Sequence, residues 1–192
     1  GTALQGLIDS GNIESGQKVL IVGASGGVGT YAVQLAKAIG AEVTGVCSTS
    51  KVDLVRSIGA DHVIDYTRGD YLDGSHRYDL ILDIGGNNSL SRLRRALNPK
   101  GTLVIVGGEE GGNLTGGFGR QLRAVALSPF IGQRLTMLAS KERHTDLEAL
   151  SPYLENGQVI PIIDRVYPLA EVPVAMRHLE AGEARGKIAI TI

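Results

Sequence analysis

Short apolar runs alternate with amphipathic stretches along most of the chain. The run Val19-Leu20-Ile21-Val22 is continuously apolar and breaks at Gly23, the pattern of a strand buried on both faces of a parallel sheet. Tyr31, Ala32, Leu35, Ala36 and Ile39 then recur at helical spacing until Gly40, which serves as a C-terminal cap. The same reading predicts a strand over 42–46, a helix over 51–58 stopped by Gly59, and a short strand at Val63-Ile64. Leu80-Ile81-Leu82 follows as a strand, 90–97 as a helix stopped by Asn98-Pro99, and 103–106 as a strand. Repeated strand-helix units imply an α/β fold, a Rossmann-type doubly wound parallel sheet with helices on both faces. Beyond Gly107 the rhythm loosens into a glycine-rich stretch to Gly119, followed by a helix over 121–127. The pattern then predicts a strand over 133–139, a helix over 145–155, a strand over 162–166, a helix over 172–180 and a closing strand over 187–190.

Composition adds one question and several exclusions. The 192 residues include 27 glycines, roughly twice the usual share, which calls for a backbone reason. With 43% hydrophobic and 20% charged residues the chain can bury a core. Its 19 basic and 20 acidic residues are interspersed, and a net charge of −1 argues against nucleic acid or a membrane surface as partner. No apolar run approaches the roughly 20 residues that span a bilayer, and no signal segment opens the chain, so a cytoplasmic location is expected. The single cysteine, Cys47, excludes an internal disulfide and a cysteine-rich zinc site. The start, Gly1-Thr2-Ala3-Leu4, has no initiator methionine and runs straight into a helical pattern, as a cut beginning would.

The strongest local signal is Gly23-Ala24-Ser25-Gly26-Gly27-Val28-Gly29, between a buried strand and a helix. Against the dinucleotide fingerprint G-x-G-x-x-G, Ala24 stands in the first glycine slot, Gly26 in the second and Gly29 in the third. The middle glycine lets backbone approach a pyrophosphate, the last lets helix and strand pack closely, and the helix N-terminus favours an anion. The plain alternative is a glycine-rich turn with no ligand. An NAD site presents an acid about 20 residues on, at the end of the second strand. That slot here is Cys47-Ser48-Thr49-Ser50-Lys51, with no acid. Hydroxyls and an ammonium suit a 2′-phosphate, so the expected cofactor is NADPH. Ser48 to Ser50 could instead only cap the next helix, with Lys51 solvated.

These residues, with Val33-Gln34-Leu35-Ala36-Lys37, Gly59-Ala60-Asp61 and Val63-Ile64-Asp65-Tyr66, resemble the quinone oxidoreductase branch of the medium-chain dehydrogenase/reductase superfamily. Tyr78-Asp79, Leu82-Asp83, Pro99-Lys100-Gly101, Tyr167-Pro168-Leu169 and Ala184-Arg185-Gly186-Lys187-Ile188 extend the resemblance over the whole chain. It implies hydride transfer from NADPH to a quinone or an α,β-unsaturated carbonyl. It implies Ser25, Gly26, Gly27 and Val28 on the pyrophosphate, and Ser48, Lys51 and Tyr66 around the 2′-phosphate. Gly85 and Gly86, and Gly107 and Gly108, would approach a ribose, Phe130 the nicotinamide, and Lys187 the far end of the cleft. Tyr66 could equally be an amphipathic strand-end residue and Phe130 a core aromatic. The resemblance further implies residues 1–160 as the NADP-binding domain, and 161–192 as a segment belonging with an N-terminal catalytic domain absent from this chain. A homodimer joined near 133–139 is implied as well.

Other chemistries carry less. His62, His76, His144 and His178 are scattered with no H-E-x-x-H pair, so no metal site is expected. Gly23 to Gly27 also satisfies G-x-S-x-G, a nucleophile elbow, but no late histidine stands where a hydrolase would want one. Hydride transfer needs no covalent nucleophile, and no catalytic residue is assigned. A nucleotide-binding module without activity, or a zinc-dependent alcohol dehydrogenase relative, remain the alternatives.

Overall fold

In the computed structural model, which describes residues 1–85, 88–107 and 132–192, six parallel strands form the main sheet. They are β1 (Lys18–Val22), β2 (Glu42–Cys47), β3 (His62–Asp65), β4 (Tyr78–Asp83), β5 (Leu97–Val106) and β6 (Arg134–Leu138). Their order, β3-β2-β1-β4-β5-β6, reverses direction at β1, and a doubly wound sheet binds ligands at the carboxyl ends of the strands beside that switch point. Helix α1 (Thr2–Leu4) runs into a π-helical turn, Gln5–Ser10; α2 (Gly29–Ile39) follows β1, and α3 (Val52–Ser57) follows β2 after a 3₁₀ turn, Thr49–Lys51.

Period-two alternation within fully buried strands builds two cores. Val19 and Ile21 of β1 point to one face of the sheet, against Ala32, Val33, Leu35 and Ala36 of α2. Leu20 and Val22 point to the other, with Ile81, Leu93 and Leu103. Each such side chain contributes about 1.5–3 kcal/mol by leaving water. Gly40, at φ +97°, ends α2 with its N–H on the carbonyl groups of Ala36 and Lys37.

One element differs from the sequence pattern. Helix α4 (Leu90–Arg95) ends before Ala96, and β5 begins at Leu97, six residues earlier than the apolar run at 103–106 indicates. The buried side chains of Ala96 and Leu97 serve a strand, not a helix face: the Tyr78 amide donates to the Ala96 carbonyl at 2.8 Å, and Leu97 pairs with Tyr78 across a β-bulge. The expected helix over 121–127 and most of the glycine-rich stretch lie outside the described residues.

After β6 come helix α5 (His144–Glu155), β7 (Ile163–Pro168), helix α6 (Val172–Glu180) and β8 (Lys187–Thr191). The strands β7 and β8 form a separate two-stranded parallel sheet. The loop between α6 and β8 returns to the carboxyl edge of the main sheet, where the Gly186 amide donates to the Ser25 carbonyl at 2.9 Å. No helix among the described residues is long and apolar enough to cross a membrane.

Candidate functional site: a cleft at the strand carboxyl ends

The turn after β1 is shaped by contacts that only small residues permit. Gly23 has φ +84°, and its amide and that of Ala24 both donate to the Val46 carbonyl, at 3.2 and 3.0 Å. A Cβ on Gly29 would stand 2.0 Å from the Gly23 carbonyl oxygen, so the third glycine of the fingerprint is required by close packing of helix on strand. The departure at Ala24 has a local explanation. Its methyl is fully buried, and a Cβ on Gly45 of β2 would come within 3.0 Å of it; the space is supplied by the glycine across the sheet. A Cβ on Gly26 would meet only the Gly23 carbonyl oxygen, at 3.6 Å, and one on Gly85 would meet nothing within 4 Å.

These residues border a cleft of about 910 Å³. Of the residues singled out in the sequence, Ser25, Gly26, Gly27, Ser48, Lys51, Tyr66 and Gly85 line it. Ser25 is 6% exposed, yet its hydroxyl makes no hydrogen bond to a described residue. A buried hydroxyl without a partner costs free energy, and on the border of a cleft it is available to a polar group entering there. No histidine among the described residues bonds it, as a hydrolytic base would. His178 is instead engaged with Asp164 (2.6 Å) and Glu183 (3.3 Å).

Val28 and Lys187 border a smaller neighbouring pocket of about 250 Å³, which also touches Gly27, Tyr31 and Leu150. The Lys187 stem lies over the turn, 3.0–3.1 Å from where a Gly27 Cβ would be. Gly107, at the end of β5, donates its amide to the Leu138 carbonyl at 3.3 Å and does not line the cleft. Phe130, Gly86 and Gly108 lie outside the described residues.

Lys51 is engaged rather than free. Its ammonium donates to the carbonyl groups of Gly182 (2.7 Å) and Ala184 (2.9 Å), tying the loop before β8 to the cleft wall. An ammonium has three donors, so one remains for a ligand. Tyr66 is 55% exposed. Burial pushes the Cys47 thiol up, and the Asp65 charge pushes it further while Lys51 opposes; it is a packed residue, not a poised nucleophile.

The cleft lining also includes residues that sequence reasoning missed. Asp70 and Tyr71, from the connection before β4, meet Asn88 and Arg92 at the start of α4. The Arg92 guanidinium pairs with the Asp70 carboxylate and donates to the Asn88 side-chain oxygen at 3.0 Å. Nothing in local spacing relates the pair Asp70-Tyr71 to the i,i+4 pair Asn88 and Arg92, because tertiary folding brings the two pairs together. Among the described residues, no group of three or more His, Cys, Asp or Glu is arranged to hold a metal ion.

Residues 58–190 match the family model described as zinc-binding dehydrogenase. The chain is 34% identical to the mitochondrial NAD(P)H oxidoreductase RTN4IP1 of Mus musculus, over 92% of this chain and 48% of that protein. It is 33% identical to 2-methylene-furan-3-one reductase of Solanum lycopersicum, over 98% of this chain and 44% of that one. Among solved structures, the quinone oxidoreductase from Coxiella burnetii superposes with a TM-score of 0.84 at 27% identity, covering 100% of this chain and 57% of that one. The chain thus spans about half the length of the curated relatives it matches.

Proposed function

The chain belongs to the zinc-binding dehydrogenase family, and on that premise we propose that it forms the cofactor-holding part of an NADPH-dependent reductase of quinones or α,β-unsaturated carbonyls. The observation that carries the reading is the buried Ser25 hydroxyl, unpartnered among the described residues, in a glycine turn at the sheet's switch point. The turn fits a dinucleotide pyrophosphate: Gly26 leaves room for close backbone approach, Ser25 offers a hydroxyl, and the start of α2 favours negative charge. When bound, a nicotinamide cofactor supplies hydride to an electrophilic acceptor. The protein's own task is to hold that cofactor and to keep the 2′-phosphate end fixed while the acceptor is met at the other end.

Ser48, Lys51 and Tyr66 support the choice of NADPH over NADH. They share one stretch of cleft wall, and the cation among them keeps one donor free. The carboxylate on the cleft wall, Asp70, is neutralised by Arg92. The relatives named for NAD(P)H oxidation and for enone reduction support the reaction class. Calorimetry with NADPH and NADH tests the cofactor reading. NADPH is expected to bind more tightly, and Lys51→Ala to remove about tenfold of that preference. Equal affinity for the two cofactors would refute it. The substrate class is tested by NADPH oxidation with a quinone or an enone as acceptor, assayed on the protein at the full length of its relatives.

A further inference from the structure

We infer that Thr49, Asp65 and Thr67 form a positioning device that sets the preference for a dinucleotide carrying a 2′-phosphate, an inference that rests on the cofactor reading above. Cys47 and Asp65 are the last residues of β2 and β3 and lie opposite each other in register. Each is followed by a residue of the cleft wall, Ser48 in one loop and Tyr66 in the other. The next residue in each loop is a threonine, and both threonines turn to the same carboxylate. Thr49 donates its hydroxyl to Asp65 Oδ2 at 2.5 Å. Thr67 donates its hydroxyl to Asp65 Oδ1 at 2.6 Å and its amide to the same oxygen at 2.9 Å. With both hydroxyl protons spent on the carboxylate, the two hydroxyl oxygens are neighbours at 2.9 Å.

Two consequences follow for the wall between these loops. The carboxylate fastens the loop of Ser48 and Lys51 to the loop of Tyr66, so the three groups that would surround a phosphate keep a fixed spacing. Pre-organised donors lose less freedom on binding an anion, which is where affinity is gained. The second consequence is electrostatic. An acid at this edge of the sheet would repel a phosphate or bond a ribose diol instead. Here Asp65 does not line the cleft, and its oxygens are turned to three donors in the two loops, which hold the carboxylate in its charged form but leave it no free oxygen aimed at a ribose diol.

The test uses the intact chain and two probes that differ in the phosphate of interest, 2′,5′-ADP and 5′-AMP, titrated by calorimetry into wild type, Thr49→Val, Thr67→Val and Thr49→Ser. Thr49 and Thr67 are exposed, so removal of a hydroxyl should leave the fold intact. Thr49→Val and Thr67→Val are expected to weaken 2′,5′-ADP by about tenfold while 5′-AMP stays within about twofold, and Thr49→Ser to restore wild-type binding. Unchanged 2′,5′-ADP affinity in both valine variants, or equal loss for both probes, would overturn this inference alone. A wild-type chain that binds the two probes equally would overturn the NADPH reading and this inference together.

Discussion

The second glycine of the turn after β1 separates folding from binding. A methyl added at Gly26 meets only the Gly23 carbonyl oxygen at 3.6 Å, an ordinary contact, and Gly26 is not among the glycines of positive φ. Gly26→Ala therefore removes freedom from the unfolded chain at little cost to the folded one, which stabilises by about 0.4–1 kcal/mol. For a chain of this size that raises Tm by about 1–4 °C. The same methyl holds backbone away from a pyrophosphate. Losing one charge-assisted hydrogen bond there costs about 1.5–3 kcal/mol, or about 10- to 150-fold in Kd for NADPH. Scanning fluorimetry reads the first number and calorimetry the second. A variant that keeps its Tm and binds NADPH like wild type would refute the assignment of this turn to the pyrophosphate. A Tm that falls by more than about 5 °C would refute the steric reasoning.

Three further perturbations probe other parts of the account. Gly29→Ala forces a Cβ to 2.0 Å from the Gly23 carbonyl oxygen and 2.7 Å from the Ala24 backbone, so Tm should fall by about 2–12 °C, in contrast to Gly26→Ala. Lys51→Ala releases the carbonyl groups of Gly182 and Ala184, and amide hydrogen exchange in the loop between α6 and β8 should quicken while exchange in β1 does not. The Asp146 carboxylate is held below the usual range by the Gln5 side-chain amide, with burial opposing and the Arg143 guanidinium assisting. Its folded value lies below its unfolded one, so its contribution to stability is present above the ordinary carboxylate range and lost as pH falls through the folded value. Melting curves from about pH 6 to about pH 3 should therefore show an acid limb that flattens in Asp146→Asn.

The order of elements was legible because the central strands are buried on both faces, which writes them as unbroken apolar runs, and because Gly40 and Gly59 mark helix ends at positive φ. The beginning of β5 was not legible. Ala96 and Leu97 are apolar at helical spacing, and only the bulge against Tyr78 makes them strand. Much of the cleft floor could be read from the glycine turn, since its spacing is local. The rest of its lining could not: Asp70 and Tyr71 meet Asn88 and Arg92 through folding of segments with no shared period. The fingerprint's missing glycine at Ala24 looked like a defect in one dimension, whereas Gly45, in the neighbouring strand, supplies the room. Lys51 lies on the expected wall, but its two carbonyl partners come from the other end of the chain, beyond the reach of any local pattern.

The central claim is that the turn after β1 and the loops after β2 and β3 hold NADPH. Amide chemical shifts of the isotopically labelled chain, followed while NADPH is added, test it most directly. The largest changes are expected at Ser25, Gly26 and Gly27, at Ser48 and Lys51, and at Tyr66, with NADH moving the first group and leaving Lys51 and Tyr66 nearly still. Shifts confined to other surfaces, or no shifts at all with either cofactor, would contradict it.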